Sequence, residues 1–269
     1  MLPRSAPCVR RRCCIGTGDG MNWLLLRGLA RQSEHWGDFP SLLAKAVPGG
    51  RVFTLDLPGT GSRFTEASPD SIPEIRQSVQ ACAGELPSPL ILVGLSLGGM
   101  VAMDWAGQQS LGLAGVVAIN TSSGWSPPWQ RLQPGQWGSV LKILADPGAD
   151  RREAAILSLT SNLSHPASLL AHWRELQHQR PVSRRTALRQ MRAAARYRPP
   201  EKPPSVPVLL LASQADPMVS SRCSGKLAKL WGCGFAEHSW AGHDLPLDDP
   251  DWVLGKLGDF RERQARQSR

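Results

Sequence analysis

The chain lacks several features that would have placed it in a class at once. Among its 269 residues no apolar run approaches the ~20 residues that a membrane-spanning helix needs. Residues 1–20 contain arginines but no apolar stretch of about 7–15 residues after them, so they do not read as a secretory signal. They are poor in acid, as a transit peptide would be, but their glycines and prolines oppose an amphipathic helix. None of the six cysteines (Cys8, Cys13, Cys14, Cys82, Cys223, Cys233) falls in C-x2-C spacing. Reduced thiols in a cytoplasmic protein are therefore expected, without a metal site or a disulfide framework. No internal repeat is present. Neither a G-x-G-x-x-G nor a glycine-rich turn followed by Lys-Ser/Thr occurs, which removes the common phosphate-binding loops.

Acid is also scarce. The chain has 31 Lys and Arg against 22 Asp and Glu, a net charge of +9. The excess is local. Residues 1–20 carry net +3, residues 21–124 net −2, residues 125–205 net +8, and residues 206–269 none. A nucleic-acid-binding domain is basic throughout its contact face and interleaves aromatic residues with the charge. That pattern is missing, so no nucleic acid is expected.

What is present is an alternation. Short, largely apolar runs stand at 22–26, 51–57, 90–94, 113–120 and 206–212, with a weaker one at 234–239. Between them lie helix-spaced segments at 39–47, 72–86, 98–106, 221–230 and 252–264. Doubly apolar strands alternating with helices imply an α/β fold with a mostly parallel sheet and helices on both faces. The alternation breaks at residues 125–205. A structureless loop of that length is improbable, so a helical insertion bounded by prolines is expected there. Residues 1–20 are expected to be a disordered leader, or an upstream start with Met21 as the native first residue.

The strongest chemical signal is Gly94-Leu95-Ser96-Leu97-Gly98-Gly99, which follows one apolar strand and opens a helix. A serine on so sharp a turn holds its hydroxyl above the carboxyl edge of the sheet, and the flanking glycines let strand and helix approach. The hydroxyl needs a base. His243, in the loop after the last strand, is the candidate, with His238 the nearest rival. His35, His165, His172 and His178 read as surface or lid residues. The base needs an orienting carboxylate. Asp216 follows the strand at 206–212 and gives the chain order Ser, Asp, His. Asn120 and Thr121 occupy the alternative position and supply no carboxylate. Asp244, beside His243, is expected to point away. The backbone N–H groups of Leu97 and Leu29 are the expected oxyanion donors. Leu95 and Arg27 are candidates for contact with substrate.

Together these residues resemble the α/β-hydrolase fold superfamily, in the form with a cap inserted before the acid-bearing strand. The resemblance covers roughly residues 21–262 and includes Asp56-Leu57-Pro58-Gly59-Thr60-Gly61, similar to the family's D-x-P-G-x-G turn, and Trp36. It implies a core at 21–124 and 206–269 and a helical cap or lid at 125–205. The family has His-Gly where this chain has Arg27-Gly28, so Arg27 is a candidate donor to the oxyanion loop or a site for an anionic substrate group. A serine nucleophile argues against haloalkane dehalogenation, which needs a carboxylate there, and leaves esterase, lipase, thioesterase, C–C hydrolase and cofactor-free haloperoxidase-like activities within the family. Of these a carboxylic ester hydrolase is the expected one, with a small or medium acyl ester as substrate and no metal or organic cofactor.

Arg185, Arg189, Arg192 and Arg196 recur at i, i+4, i+7 and i+11 and form one stripe on a helix, with Ser183 as its expected N-cap. Leu188, Met191 and Ala195 are expected to face the core. The stripe reads as a solvated face, or as a docking surface for an acidic carrier protein. The second reading follows a resemblance to pimeloyl-[acyl carrier protein] methyl ester esterases, which extends to the Gly94–Gly99 elbow and Lys229-Leu230-Trp231. A hydrolase-fold binding protein without catalysis is the third reading.

Overall fold

The computed structural model describes residues 9–11, 20–84, 86–108 and 112–267. In chain order the elements are β1 (Val9–Arg11), β2 (Asn22–Leu26), α1 (Phe39–Ala46), β3 (Val52–Leu55), α2 (Ile72–Ala83), β4 (Leu90–Leu95), α3 (Leu97–Ala106) and β5 (Leu113–Ile119). The insertion follows with α4 (Pro128–Arg131), α5 (Trp137–Ala145), α6 (Ala149–Thr160), α7 (Ala167–Gln179) and α8 (Arg184–Arg196). The chain then returns through β6 (Val208–Ser213), α9 (Arg222–Trp231), β7 (Gly234–His238), α10 (Leu245–Asp248) and α11 (Pro250–Gln267).

The sheet order is β1-β3-β2-β4-β5-β6-β7, and every pairing is parallel except that of β1 with β3. The residues of β2, β4 and β6 are buried throughout, because alternate side chains enter two separate cores. Leu24, Leu26, Leu92, Val116 and Leu210 pack with α2, α3 and α9 on one face. Trp23, Leu25, Ile91, Val93, Val117 and Leu211 pack with α1 and α11 on the other. This double burial explains why the sequences of the central strands read as largely apolar runs.

The expected leader supplies one described element, the edge strand β1; residues 1–8 and 12–19 lie outside the described residues. Residues 125–205 build α4–α8 and no strand. No described helix is long and apolar enough to cross a membrane.

The face of α8 differs from expectation. Ser183 caps it, accepting from Thr186 N at 3.0 Å. Its buried residues, however, are Thr186, Gln190 and Ala193, whereas Leu188 is 55% exposed. The helix sits on a polar turn, where hydrogen bonds matter more than apolar bulk. A Cβ on Gly59 would approach Thr186 Cγ2 to 2.6 Å, so α8 lies directly on the Pro58-Gly59 backbone.

Candidate active site

Ser96 stands between β4 and α3 with φ 53° and ψ −112°, in the region disfavoured for residues with a Cβ. Its neighbours make the turn feasible. A Cβ on Gly94 would overlap the backbone of Gly98, and a Cβ on Gly98 would approach Arg27 O to 2.7 Å. The turn is also anchored: Ser96 N–H donates to Ile119 O at 2.8 Å, and Thr121 Oγ1 donates to Ser96 O at 2.8 Å.

His243 Nδ1 lies 2.7 Å from Asp216 Oδ2, and both side chains are buried. An ionised carboxylate only accepts, so Nδ1 carries the hydrogen and Nε2 keeps a lone pair. Asp216 also serves its own turn. Its Oδ1 accepts from Met218 N at 2.7 Å and Val219 N at 3.0 Å, which fixes the carboxylate's orientation. Burial by itself pushes the His243 imidazole down from 6.5, but the charge and hydrogen bond of Asp216, with help from Asp244, outweigh it and raise the pKa.

Ser96 and His243 both line one cavity of about 530 Å³ between the sheet edge and the insertion. Its walls are mostly apolar: Val140, Ile143 and Leu144 from α5, Ile156 and Leu159 from α6, and Met191 from α8. Leu95 and Leu29 line it as well. Leu97 is the first residue of α3, where a backbone N–H has no intrahelical partner. Gly28 brings the Leu29 loop close, since its Cβ would stand 3.4 Å from Ser96 Cβ.

Arg27 lines the cavity, but its terminal nitrogens are committed. NH1 donates to Asp244 Oδ1 at 3.1 Å and NH2 to Asp244 Oδ2 at 2.5 Å. The guanidinium also lies over Trp36, 4.8 Å from the ring centroid. Asp244 is thus a counter-ion rather than a rival to Asp216. Arg131, Arg152 and Arg184 of the insertion line this cavity, whereas Arg185, Arg189 and Arg192 do not. Arg189 NH1 donates to Ser68 O at 3.1 Å, Arg192 Nε stands 3.3 Å from Asp70 Oδ2, and Arg185 is exposed. The core therefore partly neutralises the stripe.

The remaining histidines are structural or peripheral. His238 Nε2 lies 3.0 Å from Asp249 Oδ2 and its ring meets Trp240 and Trp252 edge to face. His35 departs from the surface or lid role expected of it. It is 6% exposed and meets Trp173 of α7 edge to face at 5.0 Å, because the insertion covers it. Among the described residues, no group of three or more His, Cys, Asp or Glu side chains is placed to hold a metal ion.

Three residues act on the site without having been singled out for it. Asn120, with φ 45°, donates from Nδ2 to Gly242 O at 3.1 Å and His243 O at 2.9 Å, while its Oδ1 accepts from Ser213 N at 2.8 Å. Asp248 accepts from Gly242 N at 2.6 Å, from Asn162 N at 3.0 Å and from Ser161 Oγ. Gln190 accepts from Ala30 N at 2.8 Å. Only Asn120 left a trace in the sequence, as an amide where a carboxylate could have stood.

Comparison with known proteins agrees with this fold. A sequence model described as the alpha/beta hydrolase family matches residues 23–256. The chain belongs to the alpha/beta hydrolase family. Within it, a pimeloyl-[acyl-carrier protein] methyl ester esterase of Xylella fastidiosa is 34% identical over 90 residues, 34% of this chain and 32% of that protein. Protein phosphatase methylesterase 1 of Bos taurus is 30% identical over 112 residues, 39% of this chain and 29% of that protein. The chain thus spans about a third of the length of these curated relatives. Esterase RhEst1 from Rhodococcus sp. ECU1013 superposes with a TM-score of 0.72 at 20% identity, over 94% of each chain, which shows that this alpha/beta hydrolase shares its fold.

Proposed function

We propose that this alpha/beta hydrolase cleaves a carboxylic ester through an acyl-enzyme on Ser96. The observation that carries the reading is that Ser96, in its left-handed turn, and His243, hydrogen-bonded to Asp216, open onto one apolar cavity. Ser96 Oγ attacks the ester carbonyl carbon while His243 Nε2 takes its proton. The oxyanion that develops is met by the N–H groups of Leu97 and Leu29. The intermediate collapses, the C–O bond to the alcohol breaks, and His243 returns the proton to the leaving alkoxide. Water, deprotonated by His243, then attacks the acyl carbon and releases the acid. Asp216 stabilises the imidazolium in both halves. The free thiols of Cys82, Cys223 and Cys233 support a cytoplasmic setting.

The test is covalent labelling by a fluorophosphonate together with a chain-length series of p-nitrophenyl esters. Labelling that disappears in Ser96→Ala supports the assignment, and unchanged labelling overturns it. No turnover on any ester of the panel favours a binding protein without catalysis.

The named activity of the Xylella fastidiosa relative and the net charge of +8 over residues 125–205 favour a narrower reading, an acyl group presented by an acidic carrier protein. Reversing Arg185, Arg189 and Arg192 to Glu should then lower turnover of carrier-linked ester and spare that of free p-nitrophenyl ester. Equal effects on the two substrates count against a carrier.

A further inference from the structure

We infer that Gln190, on the cap helix α8, is the positioning residue of the oxyanion loop, so that the oxyanion hole is complete only with the cap in place. The inference rests on the Ser96 reading above.

The loop from Arg27 to Arg31 carries Leu29, whose N–H is the second oxyanion donor. The next residue, Ala30, has φ 56°, a conformation that a residue with a Cβ keeps only when its surroundings hold it. The partner of its N–H is Gln190 Oε1, at 2.8 Å. Gln190 is fully buried, and its Nε2 reaches Pro58 O at 3.4 Å. The amide therefore bridges the oxyanion loop to the Asp56–Gly61 turn. That turn is itself tied to the far side of the loop, since Asp56 Oδ1 accepts from Ser33 N at 2.6 Å.

The candidate nearest in sequence for this task is Arg27, and it is engaged elsewhere with Asp244. The cap holds the loop and the turn after it at further points, through Arg31 NH1 on Glu153 Oε2 at 2.7 Å and Arg180 NH1 on Glu34 Oε1 at 2.7 Å. These are side-chain contacts; on the backbone itself the turn is closed by Arg31 N–H donating to Gly28 O at 3.2 Å. Gln190 acts on the backbone next to the donor itself. Thr186, one turn earlier on α8, packs against Gly59 and removes the slack that would let Gln190 withdraw.

A group that orients an oxyanion donor contributes to the transition state and little to ground-state binding. In Gln190→Met the volume is kept and the acceptor is lost. The expected result is a fall in kcat of about 10–100-fold with KM held within about twofold. A trifluoromethyl ketone, which forms an oxyanion on Ser96, should lose affinity in the same proportion. The product carboxylic acid should bind as before. Gln190→Glu keeps an acceptor for Ala30 N–H and should recover part of the loss. If Gln190→Met does not fold, Gln190→Ser removes the acceptor at that reach and reads the same quantities. Equal losses for the ketone and the acid, or wild-type kcat in the variant, overturn the inference while the Ser96 reading stands. Absence of labelling at Ser96 in the wild-type protein overturns the parent reading instead.

Discussion

Arg27 and Asp244 form a buried, two-point ion pair immediately beside His243, with N–O distances of 3.1 and 2.5 Å. Each side chain is 4% exposed. Such a pair is weak as a source of stability but severe when broken, because one charge stays behind in a medium that solvates it poorly.

Asp244→Ala should therefore destabilise the fold by about 3–5 kcal/mol. The double variant Arg27→Met, Asp244→Leu should lose much less, since neither charge remains. Urea unfolding of the three proteins measures this. A single variant no worse than the double would show that water reaches the guanidinium.

The His243–Asp216 pair gives a pH dependence whose sign is fixed. The native pKa of His243 is raised above 6.5: burial lowers it, and Asp216 more than compensates. The stability this contributes is fully present below the unfolded value and is lost as pH rises through the native value. Activity runs the opposite way, because the neutral imidazole is the base. The acidic limb of kcat/KM should thus have its midpoint above 6.5. Asp216→Asn removes the chief raising influence and leaves burial, so the limb should move to lower pH while kcat falls by about 10⁴-fold. A pH–rate profile of both proteins reads it.

Asn120 tests how the base is held. Asn120→Asp keeps the size of the side chain and the acceptor for Ser213 N, but turns a donor into an acceptor facing the carbonyl oxygens of Gly242 and His243. It should lower kcat by about 10–100-fold with little change in KM, and by more than Asn120→Ala. Steady-state kinetics of the two variants decide this. An Asp variant as active as wild type would mean that the amide only fills space.

Much of this was legible in the sequence because the information was local. The strands read as apolar runs because both of their faces are buried. Gly94-Leu95-Ser96-Leu97-Gly98 announced its turn because only glycine tolerates the contacts that a Cβ at 94 or 98 would make. The order Ser96, Asp216, His243 followed from which residues end which strands. The role of Arg27 was not legible, since its partner lies 217 residues away. Nor was the seating of α8. Apolar spacing nominated Leu188 as a core residue, but the surface beneath the helix is a polar turn and favours Thr186 and Gln190.

The sequence by itself determined the α/β architecture, the serine turn and the candidate acid and base, all of which depend on residues close in the chain or on chain order. It also determined that the excess positive charge lies outside the core. Only the tertiary structure decided how that machinery is held. Asn120 clamps the base loop, Asp244 neutralises Arg27, and Gln190 reaches from the cap to the oxyanion loop. These are hydrogen bonds between buried groups far apart in sequence. Nothing in the composition or spacing of such residues names a partner until folding brings the two together.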